Sequence, residues 1–209
     1  GISLLTELLA PLAGKAARIG VMMGHETHLR MPLADWERLI AGLPGLRIAD
    51  ATGLVQGLRM VKSPVEIDKI AHICAIGSAS FARVPDLIAE GMPLEEVFRA
   101  FRREALAQGA DDAPYLVGGA DLTWDGYFCD FDRNWAVGHA DDTARRAYDV
   151  LWRATEAGIA AARPGATCRN LFHAMSAVIA EMDASGGDIG RLGHGLGMQL
   201  TEQPSHAAF

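Results

Sequence analysis

Asp125-Gly126-Tyr127-Phe128-Cys129-Asp130-Phe131-Asp132-Arg133 is the densest cluster of polar side chains in this 209-residue chain. Side chains on a strand alternate faces, so Asp130 and Asp132 would share one. Two carboxylates on one face repel each other unless something positive lies between them. That charge is either a divalent cation or Arg133. The plainer alternative is a hairpin edge with solvated acids. The second cluster is Gly190-Arg191-Leu192-Gly193-His194-Gly195-Leu196-Gly197. Glycines on both sides of His194 allow a backbone or a ligand to approach closely. An imidazole placed there can ligate a metal or polarise a carbonyl, or it can be structural. A dinucleotide-binding glycine run needs a strand before it, a helix after it and a later acid. Pro204 would stop such a helix early, which argues against nucleotide binding.

The other candidates are weaker. His25 and His28 lie three apart, which is not the H-E-x-x-H spacing of a zinc peptidase. His72 and His173 fall in helical patterns, and His139 follows Gly138 in a turn. Ser205 and His206 are adjacent, the wrong arrangement for a nucleophile and its base without a third group. Trp124, Tyr127, Phe128, Phe131 and Trp135 are expected to pack a hairpin, and Asp111-Asp112 and Asp141-Asp142 to be solvated caps.

These residues need elements to hold them. The apolar run at 17–23 predicts a buried strand, Pro32 to Leu43 a helix, and Leu46 to Asp50 a second strand. Ser63-Pro64-Val65-Glu66 places Ser at the N-cap, Pro at the first helical position and Glu at the third. The helix it opens is expected to run to about Gly91, with Ile67, Ile70, Ala71 and Cys74 on its buried face and Pro85 as a kink. A further helix runs from Pro93 towards Gly109, and Pro114 to Val117 reads as a strand ended by Gly118-Gly119. Leu122 to Val137 reads as a β-hairpin turning at Asp125-Gly126. Helices then follow from about 143 to 162, capped by Asp141-Asp142-Thr143, and from Cys168 to Met182, and Gly-rich residues 186–197 are loop and strand.

Composition narrows the class. Half of the residues are hydrophobic and 22% are charged, which suits a packed core. Nineteen basic against 26 acidic residues give a net charge of −7, so nucleic acid is not an expected partner. The apolar stretches are too short for a membrane span, and Gly1-Ile2-Ser3 lacks the basic start of an export signal. Neither Gly1 nor Phe209 carries the marks of a natural end, and both ends read as interrupted. Cys74, Cys129 and Cys168 are odd in number and widely spaced, so a disulfide scaffold is not expected, and a reducing, cytoplasmic compartment is.

Taken in order, several segments resemble one family. They are Leu58-Arg59-Met60-Val61-Lys62-Ser63-Pro64-Val65-Glu66-Ile67, Asp125-Gly126-Tyr127 with Asp130-Phe131-Asp132-Arg133, and Arg163-Pro164-Gly165-Ala166-Thr167. Gly193-His194-Gly195-Leu196-Gly197 with Glu202 and Pro204 completes the set. The chain resembles the pita-bread family of aminopeptidase P, prolidase, creatinase and methionine aminopeptidase, closest to the aminopeptidase P and creatinase branch. The resemblance implies an α+β fold. Residues 1–57 would be part of a smaller α/β N-terminal domain, and residues 58–209 a pita-bread catalytic-type domain that is incomplete at its C-terminus. It also implies a metal-dependent hydrolase of the Xaa-Pro aminopeptidase or dipeptidase type. There, two divalent ions (Mn²⁺ first, Co²⁺ or Zn²⁺ otherwise) activate a hydroxide that attacks an amide. A homodimer acting on a small peptide or small-molecule substrate would follow.

Carried over residue by residue, Asp130 falls on the second ligand Asp and His194 on the ligand His. The first ligand Asp of such proteins lies eleven residues before the second, where this chain has Gly119. Asp121, nine residues before Asp130, is the nearest acid and stands as the substitute metal ligand. An intervening segment near Asp121 would restore the usual spacing. The two Glu ligands, and with them the general base, are expected beyond Phe209. A second His seven residues after the ligand His would meet substrate, and Thr201 takes that place. Thr201 keeps a second reading open: a creatinase-like amidinohydrolase or a lyase of sulfonium compounds. An incomplete ligand set keeps a third, a catalytically inactive binding module.

Overall fold

The structure, a computed structural model, describes residues 1–13, 18–25, 27–115, 121–182 and 190–206. The expectations that rest on Val117, Gly118 and Gly119, on Glu26 and on residues 186–189 lie outside those residues. The chain forms two compact units, Gly1–Val61 and Lys62–Phe209.

The first unit is built from α1 (Ile2–Ala13), β1 (Arg18–Val21), α2 (Leu33–Ala41), β2 (Arg47–Asp50) and α3 (Thr52–Met60). β1 and β2 run parallel, with Ile19 opposite Ile48. Leu39 and Leu43 are buried around α2. Thr52 is a buried polar residue with its bonds met: its hydroxyl accepts from the Met23 and Gly24 amides at 2.9 and 2.8 Å and donates to Asp50. Helices α1 and α3 lie where the sequence predicts no element. Pro11 inside α1, and Gly53 and Gly57 inside α3, hide them from propensity reasoning.

The second unit opens with α4 (Pro64–Leu87), whose start is the expected capping box. The Ser63 amide donates to Glu66 Oε2 at 2.8 Å, and the Glu66 amide donates to Ser63 Oγ at 3.4 Å. The helix stops at Leu87, not Gly91, and Pro85 sits inside its last turn. Its buried face also differs from the expected one: it comprises Ile73, Ile76, Gly77, Ser80, Phe81 and Val84, while Ile67 is 55% exposed. From the helix's first turns, Glu66 meets Tyr127 and Lys69 meets Asp125.

α5 (Leu94–Ala107) follows as predicted, and with α4 it backs an antiparallel sheet of β3 (Asp112–Tyr115), β4 (Asp121–Trp124) and β5 (Tyr127–Phe128). Ile73, Phe81, Phe101, Ala105, Ala113, Leu122 and Cys129 form the core between them. Complete burial of Ile73 and Leu122 stabilises the unit by about 1.5–3 kcal/mol each. Asp125 and Gly126 turn β4 into β5 with φ of 46° and 78°. Both values are left-handed, which suits the two-residue hairpin connection that this dipeptide predicts. The hairpin is shorter than expected. β5 ends at Phe128, and no strand is formed between Cys129 and Val137. Phe131 and Trp135 leave the ladder to pack on Phe81, with ring centroids 5.4 and 5.3 Å away.

α6 (Asp142–Ala161) is capped by Asp141, whose carboxylate accepts from the Ala144 amide at 2.7 Å. α7 (Cys168–Ile179) ends short of the predicted Met182 and packs against α6. Gly158 lets the helices meet, since a Cβ there would lie 2.8 Å from Met175 Sδ. β6 (His194–Gly195) and β7 (Glu202–Ser205) close the second unit as an antiparallel pair.

Candidate functional site

Two backbone arrangements bring the candidate residues together. In the hairpin, Thr123 faces Phe128 and Trp124 faces Tyr127, and the Cys129 amide donates to Leu122 O at 3.0 Å. Continuing that register sets Asp121 opposite Asp130. Leu122 and Cys129 are fully buried against the helices, so Asp121 and Asp130 take the other face. The Phe128 amide donates to Gly197 O at 2.8 Å, which ties the hairpin to the turn between β6 and β7.

His194 is held from the β6 side. Gly195 is there because β7 is close: a Cβ would lie 2.7 Å from Gln203 C and 3.1 Å from Pro204 Cδ. Gly193 lies against the His206 ring and Gly197 against the Glu202 carboxylate, where a Cβ would reach 2.7 Å in each case. The flanking glycines thus admit backbone and side chains of the same chain. Glu202 is buried and meets Lys62 Nζ at 3.0 Å.

Asp130 Oδ2 lies 3.2 Å from His194 Nε2. On the other side of the ring, His194 Nδ1 is 2.9 Å from Gly195 O. A carbonyl only accepts, so the network assigns the proton to Nδ1 and aims Nε2 at the carboxylate. A neutral Nε2 would face Asp130 lone pair to lone pair, so the contact calls for a proton or a cation at that nitrogen.

The field around the pair is negative. Burial pushes Asp121 up to about 6, and the Asp130 and Asp132 carboxylates add to the rise while His194 opposes it. Burial also raises Asp132, with Asp130 adding and Arg133 opposing. Arg133 therefore offsets part of the charge at Asp132, and since no strand forms after Phe128 the two acids do not share a strand face as the sequence suggests. Burial lowers His206, and His194 lowers it further. Its Nδ1 is buried and has no hydrogen-bond partner among the described residues. Thr201 is partly buried at the entry to β7.

One imidazole with carboxylates suits a borderline divalent ion such as Mn²⁺, Co²⁺ or Zn²⁺. Among the described residues, no three His, Cys, Asp or Glu side chains gather closely enough to hold one. Asp130 and His194 fit part of a metal site, and Asp121 shares their field from across the hairpin.

Several supporting residues were not singled out by the sequence. The Tyr127 hydroxyl donates to Glu66 Oε1 at 3.0 Å, and Lys69 Nζ meets Asp125 at 2.6 Å. Asp111 is exposed, as expected, but it caps no helix. Its carboxylate accepts from the Asp125 amide at 2.6 Å and braces the hairpin turn, while Asp112 pairs with Arg102 at 2.8 Å. Each joins residues far apart in sequence, so no local pattern marks them.

The second unit thus sets a hairpin acid beside a glycine-flanked histidine. Residues 119–208 match metallopeptidase family M24. The chain is 27% identical over 201 residues to the "Probable dipeptidase PepE" of Mycobacterium tuberculosis, covering 83% of this chain and 52% of that protein. A Xaa-Pro dipeptidase of Lactobacillus delbrueckii subsp. lactis is 39% identical over 83 residues, 40% of this chain and 23% of that one. Among solved structures, dipeptidase PepE from Mycobacterium ulcerans superposes with a TM-score of 0.79 at 25% identity, covering 97% of this chain and 60% of that one. Prolidase from Pyrococcus furiosus gives 0.79 at 18% identity, covering 96% and 66%. Over residues 119–208 the chain is similar to metallopeptidase family M24, and its fold is the pita-bread fold of the dipeptidase and prolidase structures on which it superposes. It spans about half the length of the curated PepE relatives it matches.

Proposed function

We propose that the protein is a metal-dependent peptide hydrolase acting on Xaa-Pro dipeptides or related small peptides. The observation that carries this reading is the 3.2 Å approach of Asp130 to His194, with Asp121 across the hairpin. Asp130 and His194 would be ligands of a divalent metal, a pair of ions in the full site and Mn²⁺ first among the candidates, and Asp121 would add its charge from across the hairpin. When bound, such ions polarise the scissile carbonyl and make water acidic enough to act as nucleophile near neutral pH. Gly195 O fixes the tautomer that leaves His194 Nε2 free for that role. Thr201 would border the substrate. A cytoplasmic homodimer completes the proposal. Among the described residues, no helix is long and apolar enough to cross a membrane.

The test is Mn²⁺ titration calorimetry together with hydrolysis of a Leu-Pro dipeptide, with and without EDTA. Binding that weakens at least about ten-fold in Asp130→Asn and in His194→Ala, and turnover lost to EDTA and restored by Mn²⁺, are expected. Mn²⁺ binding unchanged in both variants would sink the reading. Thr201, at the place of a second histidine, favours one other reading, a creatinase-like or sulfonium-compound enzyme of the same fold. Turnover of creatine or of a sulfonium compound that survives EDTA would establish it. Partner capture with no turnover of any of these substrates would point to a binding module.

A further inference from the structure

A cavity of about 300 Å³ opens between α4, α5 and the segment that follows β5. Four aromatic side chains line it: Phe81, Phe98, Phe101 and Trp135. Its polar edge comes from Arg133 and Asn134. The rings are held by one another, since Phe81 meets Phe101, Phe131 and Trp135 with centroids 4.9, 5.4 and 5.3 Å away. Phe81 and Phe101 belong to the core that packs on Leu122 and Cys129. The cavity therefore lies on the helix side of the hairpin, whereas Asp121 and Asp130 take the other face. Arg133 is positioned without an acid. Its Nη1 donates to Asp132 O at 2.6 Å, and its guanidinium carbon lies 5.1 Å from the Phe131 ring centroid and 6.0 Å from that of Trp152. Among the described residues it forms no ion pair, and its Nε and Nη2 donate no hydrogen bond. The Asp132 carboxylate is near enough to feel its charge without pairing with it.

We infer that this cavity binds a small aryl carboxylate, with the ring among the aromatic side chains and the carboxylate on the Arg133 guanidinium. Small-molecule sites are concave and mostly apolar, with a few polar groups that fix orientation. This one is at the lower end of their range of roughly 300–1,000 Å³, which suits a ligand of one ring. A flat ring packs offset or edge-on against Phe and Trp. The open edge of the guanidinium, Nε with Nη2, matches both oxygens of a carboxylate. The rings over which Arg133 lies hold that edge in place before a ligand arrives. Asn134 brings a further N–H donor to the same edge. A cation would be repelled by Arg133, and an uncharged ligand would leave its open edge unused. The cavity and the Asp130–His194 pair lie on opposite faces of the hairpin, so this ligand is not the molecule hydrolysed there. The inference stands whether or not that pair binds metal.

The test is titration calorimetry of protein stripped of metal, with 3-phenylpropionate as the probe and 3-phenylpropionamide as its uncharged control. Without metal, Asp130 and His194 cannot capture the carboxylate. The acid is expected to bind with a Kd of about 1 mM or below. The amide, and the acid with Arg133→Gln or Trp135→Ala, should each bind at least about ten-fold more weakly. Asp130→Asn should leave the affinity for the acid unchanged. No binding at concentrations far above the expected Kd would overturn the inference. So would equal affinity for acid and amide, or unchanged affinity in both the Arg133 and Trp135 variants. Binding abolished by Asp130→Asn would place the ligand at the other site and also overturn it. The comparison of acid with amide uses the wild-type chain, so a variant that fails to fold does not blunt the result.

Discussion

Lys62 Nζ and Glu202 Oε2 lie 3.0 Å apart with side chains 14% and 6% exposed, joining the approach to α4 with β7. Glu202 Oε1 also accepts from the Gln199 amide at 3.1 Å, so the same carboxylate shapes the turn after His194. Removing one partner of a buried pair leaves the other charged and poorly solvated. Lys62→Met is expected to destabilise the second unit by about 3 kcal/mol, read from urea unfolding. A midpoint equal to that of the wild type would show that water reaches Glu202.

Glu66 gives the fold an acid limit. Its carboxylate accepts from the Ser63 amide and the Tyr127 hydroxyl, and these bonds hold it below its ordinary value of 4.5. A carboxyl that is more acidic when folded stabilises the fold above its unfolded value, and the benefit is lost as pH falls through the folded one. The thermal midpoint should fall on acidification below about pH 4.5. The fall should be shallower in Glu66→Gln, and parallel curves for the two proteins would refute the assignment.

Gly77→Ala should disturb the hairpin rather than α4. The new methyl would sit 2.8 Å from Phe131 Cζ and 3.1 Å from its Cε1. Phe131 must move, and Asp130 is its chain neighbour. A loss of about 1–3 kcal/mol with altered near-UV circular dichroism is expected. Unchanged stability would mean that the ring has room to swing.

Gly195→Ala should separate β6 from β7, because its Cβ would lie 2.7 Å from the Gln203 carbonyl carbon. The expected cost is about 1–3 kcal/mol, with faster amide exchange at His206, whose N–H donates to Gly193 O at 2.9 Å. Unaltered exchange there would show that the strands can part without loss.

What could be read from the sequence was local. Ser63, Pro64 and Glu66 announce α4 because a capping box is complete within four residues, and Asp125-Gly126 announces the hairpin because only a few residue types accept two left-handed positions in a row. The buried face of α4 differs from the expected one because Ile73, Ile76, Phe81 and Val84 meet the core, while its first turns reach the hairpin through the polar Glu66 and Lys69, which no helical period reveals. The hairpin was overextended because the aromatics after Phe128 serve Phe81 and not the ladder. His194 and Asp130 were singled out separately. Their approach accompanies the Phe128–Gly197 bond, which joins β5 to the turn between β6 and β7, about seventy residues further along the chain.

The two-residue turn at Asp125-Gly126 also constrains how this segment can change in length. Faces alternate along each arm, so a single inserted residue would exchange Cys129 for Asp130 and push a carboxylate into the core. Two residues added or removed together leave every face as it was. Parity, rather than the number of residues, is what this hairpin must preserve.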